Sequence, residues 1–321
     1  MKKLNVSLLL AASLSAACVM SAAVMADETE TYTVGVCQLV QHVALDAATQ
    51  GFQDAITEAL GDAVTFDVQN AAGDSATCAT IANQFVADGV DLIMANATPA
   101  LQAAAAATAD IPILGTSVTD YATALEIEDW TGTVGNNISG TSDLAPLDGQ
   151  ADMLKELFPD ARNVGILFCS AEPNSYYQAD TIQGYLEDLG YAVTQYTFAD
   201  SNDIASVLTN AAAEVDVLYI PTDNAAASNT ELIRNIVEPA DVPVIAGEEG
   251  ICAGCGVAAL SISYYDLGYA TGEMAVKVLT GEENIAEMPV EFAPNFTKKY
   301  NPALAESAGV EIPDDYEAIE E

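Results

Sequence analysis

The stretch Asp91-Leu92-Ile93-Met94-Ala95-Asn96-Ala97-Thr98-Pro99-Ala100 decides the fold. A short apolar run follows an acid and reads as a buried strand. Thr98 and Pro99 then open an Ala-rich helix, with Pro at the first helical position, where its missing N–H is no loss. The same strand-then-helix alternation extends in both directions. Upstream, residues 32–37 and 64–68 are strand-like. Leu45, Ala48, Phe52, Ile56, Ala59 and Leu60 recur at helical spacing, and residues 75–86 form a helix with Ile81 and Phe85 on one face. Downstream, residues 111–114 make the next strand. A second series follows a helix over residues 146–158. It has strands at 164–168, 191–198, 217–220 and 242–246 and helical spacing at Ile182–Leu189, 204–215 and 232–237. This pattern predicts an α/β chain: two doubly wound parallel-sheet lobes with a ligand cleft between them. The break falls near residues 141–147, and a late helix over 267–279 returns to the first lobe. The expected division is 27–142 plus about 262–283 for the first lobe, and 143–261 plus about 284–321 for the second.

The composition agrees with two domains: 321 residues, 51% of them hydrophobic, are enough for two buried cores. The charge balance excludes more. Against 8 Lys and Arg stand 48 Asp and Glu, a formal charge of −40. Such a surface repels phosphate backbones, so no nucleic acid is expected as a partner. It also disfavours polyanionic ligands, and it reads as a solvated, solubilising surface. The single histidine, His42, removes every zinc motif that needs two and leaves one candidate for a hydrolytic triad.

Residues 1–26 read as a secretory signal: Lys2 and Lys3 precede an apolar, small-residue stretch with no acid before Asp27. Val24-Met25-Ala26 suits ordinary cleavage. Ser15-Ala16-Ala17-Cys18 offers the alternative of lipidation at Cys18, although Leu14 stands one place early. Either way the chain is expected to be exported, periplasmic or cell-surface, with a lipid anchor in the second case. Cys37, Cys78, Cys169, Cys252 and Cys255 are too scattered for a disulfide framework. Cys252-Ala253-Gly254-Cys255 lacks the second pair that zinc requires. Gly254, Gly256 and the following apolar run predict a loop before a strand. Free thiols, or one local disulfide, are expected there.

Parallel-sheet lobes place ligands outside the carboxyl ends of their strands. The residues there are Gln38, Gln41 and His42, then Asn96 to Thr98, then Ser117, Thr119 and Asp120. In the second half they are Glu172, Asn174 and Ser175, then Ser201 and Asn202, then Thr222 to Asn224, and finally Glu248 and Glu249. No Arg or Lys is among them. A ligand carboxylate would therefore meet hydroxyls and helix N-terminal amides, as at Thr98 and at Asn174-Ser175. A ligand ammonium would find Asp120, Glu172, Asp223 or Glu248. A zwitterion with an apolar body fits this set. About half of these residues are expected to act only as helix caps.

Ordered segments along nearly the whole chain carry a resemblance. They are Gln38-x-x-x-His42-x-Ala44-Leu45-Asp46, Ala97-Thr98-Pro99-Ala100, Val118-Thr119-Asp120, Ser139-Gly140-Thr141-Ser142-Asp143, Glu172-Pro173-Asn174-Ser175, Ser201-Asn202-Asp203, Pro221-Thr222-Asp223-Asn224 and the helix start Asp266–Gly272. In these the chain resembles ABC-transporter substrate-binding proteins of the tryptophan/tyrosine type. The resemblance implies a type I periplasmic-binding-protein fold that closes on a small ligand, an aromatic amino acid, and then docks a membrane permease as a monomer. It implies neither catalysis nor a cofactor or metal. Within that picture Thr98 and Thr119 face the ligand carboxylate, and Asn174, Ser175, Asp223 and Asn224 come from the other lobe, with Asp223 at the ammonium. Gln38, Gln41, His42, Asp120, Glu172 and Glu248 complete the expected site. Val43, Gln41, Glu248-Glu249 and the Cys252–Cys255 pair depart from the family pattern, and Trp130 lies outside it. The competing readings are a sensor feeding a membrane receptor, a sugar site using Tyr176, Tyr177, Tyr264 and Tyr265, and an enzyme using the Cys252/Cys255 thiols or His42.

Overall fold

The computed structural model describes residues 30–320; the signal segment and Cys18 lie outside the described residues. The first series runs β1 (Tyr32–Gln38), α1 (Val43–Leu60), β2 (Val64–Asn70), α2 (Ser75–Asp88), β3 (Leu92–Asn96), α3 (Thr98–Ala107), β4 (Ile113–Val118), α4 (Tyr121–Ala124) and β5 (Ile138–Ser142). The second runs α5 (Leu147–Leu157), β6 (Asn163–Cys169), α6 (Pro173–Asp188), β7 (Ala192–Phe198), α7 (Ile204–Ala212), β8 (Val217–Ile220), α8 (Asn224–Ala227), α9 (Thr230–Val237), β9 (Val244–Ala246), α10 (Glu249–Cys255) and β10 (Ala258–Ser261). Then come α11 (Tyr264–Leu279), β11 (Glu291–Phe292), β12 (Thr297–Tyr300), α12 (Pro302–Ala308) and β13 (Glu317–Ala318).

These strands build two sheets. One has the order β11-β5-β4-β3-β1-β2, and the other β13-β12-β10-β9-β8-β6-β7. All pairings in the first are parallel. The second is parallel except where β12 runs antiparallel to β10. Each sheet is covered on both faces, as its unbroken apolar strands require. In β1, Val34 and Val36 point to Phe52 and Ile56 of α1 and Met274 of α11. Cys37 points the other way, into a core with Phe85, Ile93 and Leu101. In the second sheet, Val164, Ile166 and Phe168 pack on α5 and α6, while Leu167 and Leu218 face α7, α9 and α10.

Helices α1 and α11 meet backbone to backbone. A Cβ on Gly268 would stand 1.9 Å from the carbonyl oxygen of Ala48, and one on Gly51 would stand 2.1 Å from that of Tyr265. The late helix thus seats on the first lobe. The chain passes from one sheet to the other three times: after β5, after β10, and between β11 and β12.

Two expectations are corrected. Residues from about 284 to 321 are expected in the second lobe; β12 and β13 do lie in the second sheet, but the segment up to Phe292 joins the first lobe, where β11 pairs with β5. Ile285, Met288 and Val290 are the reason, because all three are buried in first-lobe cores. The Cys252–Cys255 pair was expected in a loop, yet both lie in α10, capped at its start by Glu248. Their thiols are buried and donate to the helix-end carbonyls of Gly256 and Ile251. All five cysteines among the described residues are free and buried.

Candidate ligand-binding site

The carboxyl ends of both sheets face a small, tightly closed cavity of about 10 Å³, far below the roughly 300–1,000 Å³ usual for small-molecule sites. The first lobe supplies His42, Leu45 and Ser117. Asp143 and Tyr264 come from the first two crossings. The second lobe adds Asn174, Thr222, Asp223, Asn224, Ala227 and Glu248.

Three of these residues are buried carboxylates. Asp223 caps α8 at Ala226 N (2.8 Å) and accepts from Cys169 N (2.6 Å) and the Ser175 hydroxyl (2.8 Å). Burial, with repulsion from Glu172 next, pushes its carboxyl up to about 7. Glu248 caps α10 by accepting from Gly250 N (2.6 Å) and Ile251 N. Burial raises it to about 7 as well, against the opposing pull of those two N–H groups. Asp143 accepts from the hydroxyls of Thr119 (3.0 Å) and Tyr264 (2.9 Å), and burial raises its pKa too.

Nothing cationic balances these groups. No Lys or Arg lines the cavity, and burial lowers the pKa of His42. Three cavity residues also carry a buried polar atom without a partner: His42 Nδ1, Ser117 Oγ and Asn174 Oδ1. Ser117 holds φ at 54°, a left-handed conformation uncommon outside glycine. Strain of that kind collects at binding sites. Among the described residues, no cluster of three or more His, Cys, Asp or Glu could hold a metal ion.

Of the twelve residues expected here, His42, Asn174, Asp223, Asn224 and Glu248 line the cavity. Ser175 stands directly behind, on Asp223. Thr119 stands behind Asp143 and accepts from Gln178 of α6 at 3.3 Å, a bond between lobes. Thr98 is buried at the start of α3 with its hydroxyl unpaired and does not line the cavity. Glu172 is buried among donors and does not reach the wall. Three lie elsewhere. Gln38 spends its side chain on Val40 O, Asp46 and Thr49. Gln41 is exposed. Asp120 caps α4 at Thr123 N. Gln38 and Asp120 thus serve internal hydrogen bonding and a helix cap, for which such residues are equally suited. Of the tyrosines considered for stacking, only Tyr264 reaches the cavity, and Trp130 packs on the first-lobe core. Sequence reasoning missed Asp143 as a site residue, although it closes the Ser139–Asp143 segment quoted above.

Two parallel-sheet lobes around a buried, acid-lined cavity define a small-molecule binding protein of periplasmic type. The family described as "ABC transporter substrate binding protein" matches residues 33–319, and the chain belongs to it. It is 36% identical over 267 residues to a tyrosine-binding protein of Clostridioides difficile, covering 82% of this chain and 77% of that one. Among solved structures, an ABC domain from Streptococcus pneumoniae in complex with L-Trp matches with a TM-score of 0.85 at 33% identity, covering 89% of this chain and 97% of that one. A ligand-free, open substrate-binding protein of Clostridium difficile matches with 0.68 at 36% identity, covering 90% and 99%. The protein is therefore a substrate-binding protein and not an enzyme.

Proposed function

We infer that the protein captures an aromatic amino acid outside the cytoplasm and delivers it to the permease of an ABC importer. The observation that carries the ligand class is the trio Asp143, Asp223 and Glu248, turned to one cavity with no protein cation beside them. Buried carboxylates are stable when a cation joins them with further hydrogen bonds. A ligand ammonium supplies that cation, and Asn174 and Asn224 supply neighbouring polar contacts. The unpaired Ser117 hydroxyl, on the cavity wall, offers a donor to the ligand carboxylate. The names of the two similar proteins, one tyrosine-binding and one holding L-Trp, support an aromatic side chain.

Capture proceeds by lobe closure about the three crossings. The higher TM-score against the L-Trp complex than against the ligand-free open structure supports a closed arrangement here. Among the described residues no helix is long and apolar enough to cross a membrane. Isothermal titration with the twenty amino acids, a set of sugars and nucleosides tests the assignment. Binding of tyrosine, tryptophan or phenylalanine, with the rest silent, is expected. Binding of a sugar instead would overturn it.

A further inference from the structure

Glu172 sits outside the cavity, yet four donors converge on it. They are Asn224 N (3.1 Å), Ala225 N (2.9 Å), Asn224 Nδ2 (2.6 Å) and Asn174 Nδ2 (3.2 Å). A carboxylate accepts hydrogen bonds, so the Asn224 amide must turn its NH2 toward Glu172 and its oxygen away. That oxygen lies 3.2 Å from His42 Nε2. An amide oxygen only accepts, so Nε2 carries the ring proton. Burial keeps the imidazole neutral, and Nδ1 is left as a bare acceptor. It is buried without a partner, on a residue that lines the cavity. An acceptor stripped of water is costly to leave unpaired, and the ligand is what can supply the donor.

The carboxylates already serve the ligand ammonium, so a second donor is required. The geometry points to His42 Nδ1 as the acceptor for a hydrogen-bond donor on the ligand's aromatic ring, with Asn224 and Glu172 as positioning residues. The cleft then selects tyrosine or tryptophan over phenylalanine. This rests on the aromatic amino-acid reading above. Phenylalanine carries no ring donor and leaves Nδ1 dehydrated and unpaired. Sites built to bond a substrate OH or NH reject the analogue lacking it far more strongly than apolar pockets reject an added group. His42 precedes α1 of the first lobe and Asn224 begins α8 of the second. The tautomer is therefore set only when the lobes are together.

The test is titration calorimetry of tyrosine, tryptophan and phenylalanine against the wild type, His42→Phe, His42→Leu and Glu172→Gln. The wild type should bind the better of tyrosine and tryptophan at least about tenfold tighter than phenylalanine. His42→Phe and His42→Leu should each weaken that ligand by about tenfold or more and phenylalanine by less than about threefold. A glutamine at position 172 can present its own NH2 and let the Asn224 amide turn over, so Glu172→Gln should lower the same ratio. A merely structural loss would weaken all three ligands alike. Equal losses for the three, or a wild type that binds phenylalanine as tightly, would overturn the role given to His42 while the aromatic reading stands. A wild type that binds none of the three would overturn both.

Discussion

Raising the pH should destabilise the ligand-free protein through Glu248, and Glu248→Gln should remove that part of the dependence. The ordinary value for this carboxyl is 4.5, and in the fold it is pushed up to about 7. Below 4.5 the group is protonated in both folded and unfolded chains and contributes nothing. Between the two values the unfolded chain releases its proton while the folded one holds it, so stability falls as pH rises. Above 7 the full cost is present. At 1.36 kcal/mol per unit it amounts to about 3 kcal/mol, most of it lost between pH 5 and 8. Asp223, raised from 3.8 to about 7, acts with the same sign. So does the general repulsion of a chain at −40, which is why the variant must be compared at equal salt. Gln retains one carbonyl oxygen and gives up one bond to Gly250 or Ile251, a loss of about 1 kcal/mol that does not vary with pH. Thermal unfolding at pH 5 and pH 8 reads the difference. The drop in midpoint should be smaller in Glu248→Gln by roughly 5–10 °C. Saturating the wild type with its ligand should flatten the same drop, because the ammonium compensates the buried charges. Parallel pH profiles for the two ligand-free proteins would refute the reasoning.

Two further outcomes follow from the packing. Gly268→Ala places a methyl group 1.9 Å from the Ala48 carbonyl oxygen and forces α11 away from α1; a loss of about 1–3 kcal/mol or more is expected, read as a lowered unfolding midpoint. The five buried cysteines should resist a thiol reagent in the native protein and react together once urea unfolds it; rapid native labelling at Cys252 or Cys255 would show that α10 opens.

The apolar strands were legible because buried parallel strands advertise themselves as short unbroken runs. The polar strand ends were not. Strand β4 continues through Thr116 and Ser117 to Val118, beyond the apolar stretch that signals it. Strand β5 reads Ile138-Ser139-Gly140-Thr141-Ser142 and has almost no hydrophobic signal. Its hydroxyls are satisfied internally: Ser139 donates to Met288 O, and Thr141 pairs with Thr116 and Thr271. Such bonds join positions up to 150 residues apart, which no local pattern reveals. The same limit shaped the site. Of the residues that follow strands, His42, Asn174, Asp223, Asn224 and Glu248 line the cavity. Asp143 and Tyr264 lie on the crossings between lobes, where strand-end logic does not reach. Gln38, Gln41 and Asp120 have the right chemistry at the right strand ends, and only three-dimensional direction separates them from the wall of the cavity.

The route of the chain also sets an order of assembly. The first sheet begins at Tyr32, but its outermost strand ends at Phe292, and the helix that covers α1 ends at Leu279. Every residue of the second series, from Leu147 to Ser261, is synthesised in between. During translation the early half waits with Phe52 and Ile56 of α1 uncovered by α11, while a nearly complete neighbour emerges behind it. Closing that gap is a long-range event and correspondingly slow. The interval in which the nascent chain is most open to aggregation is thus written into the same crossings that let the finished protein open and close.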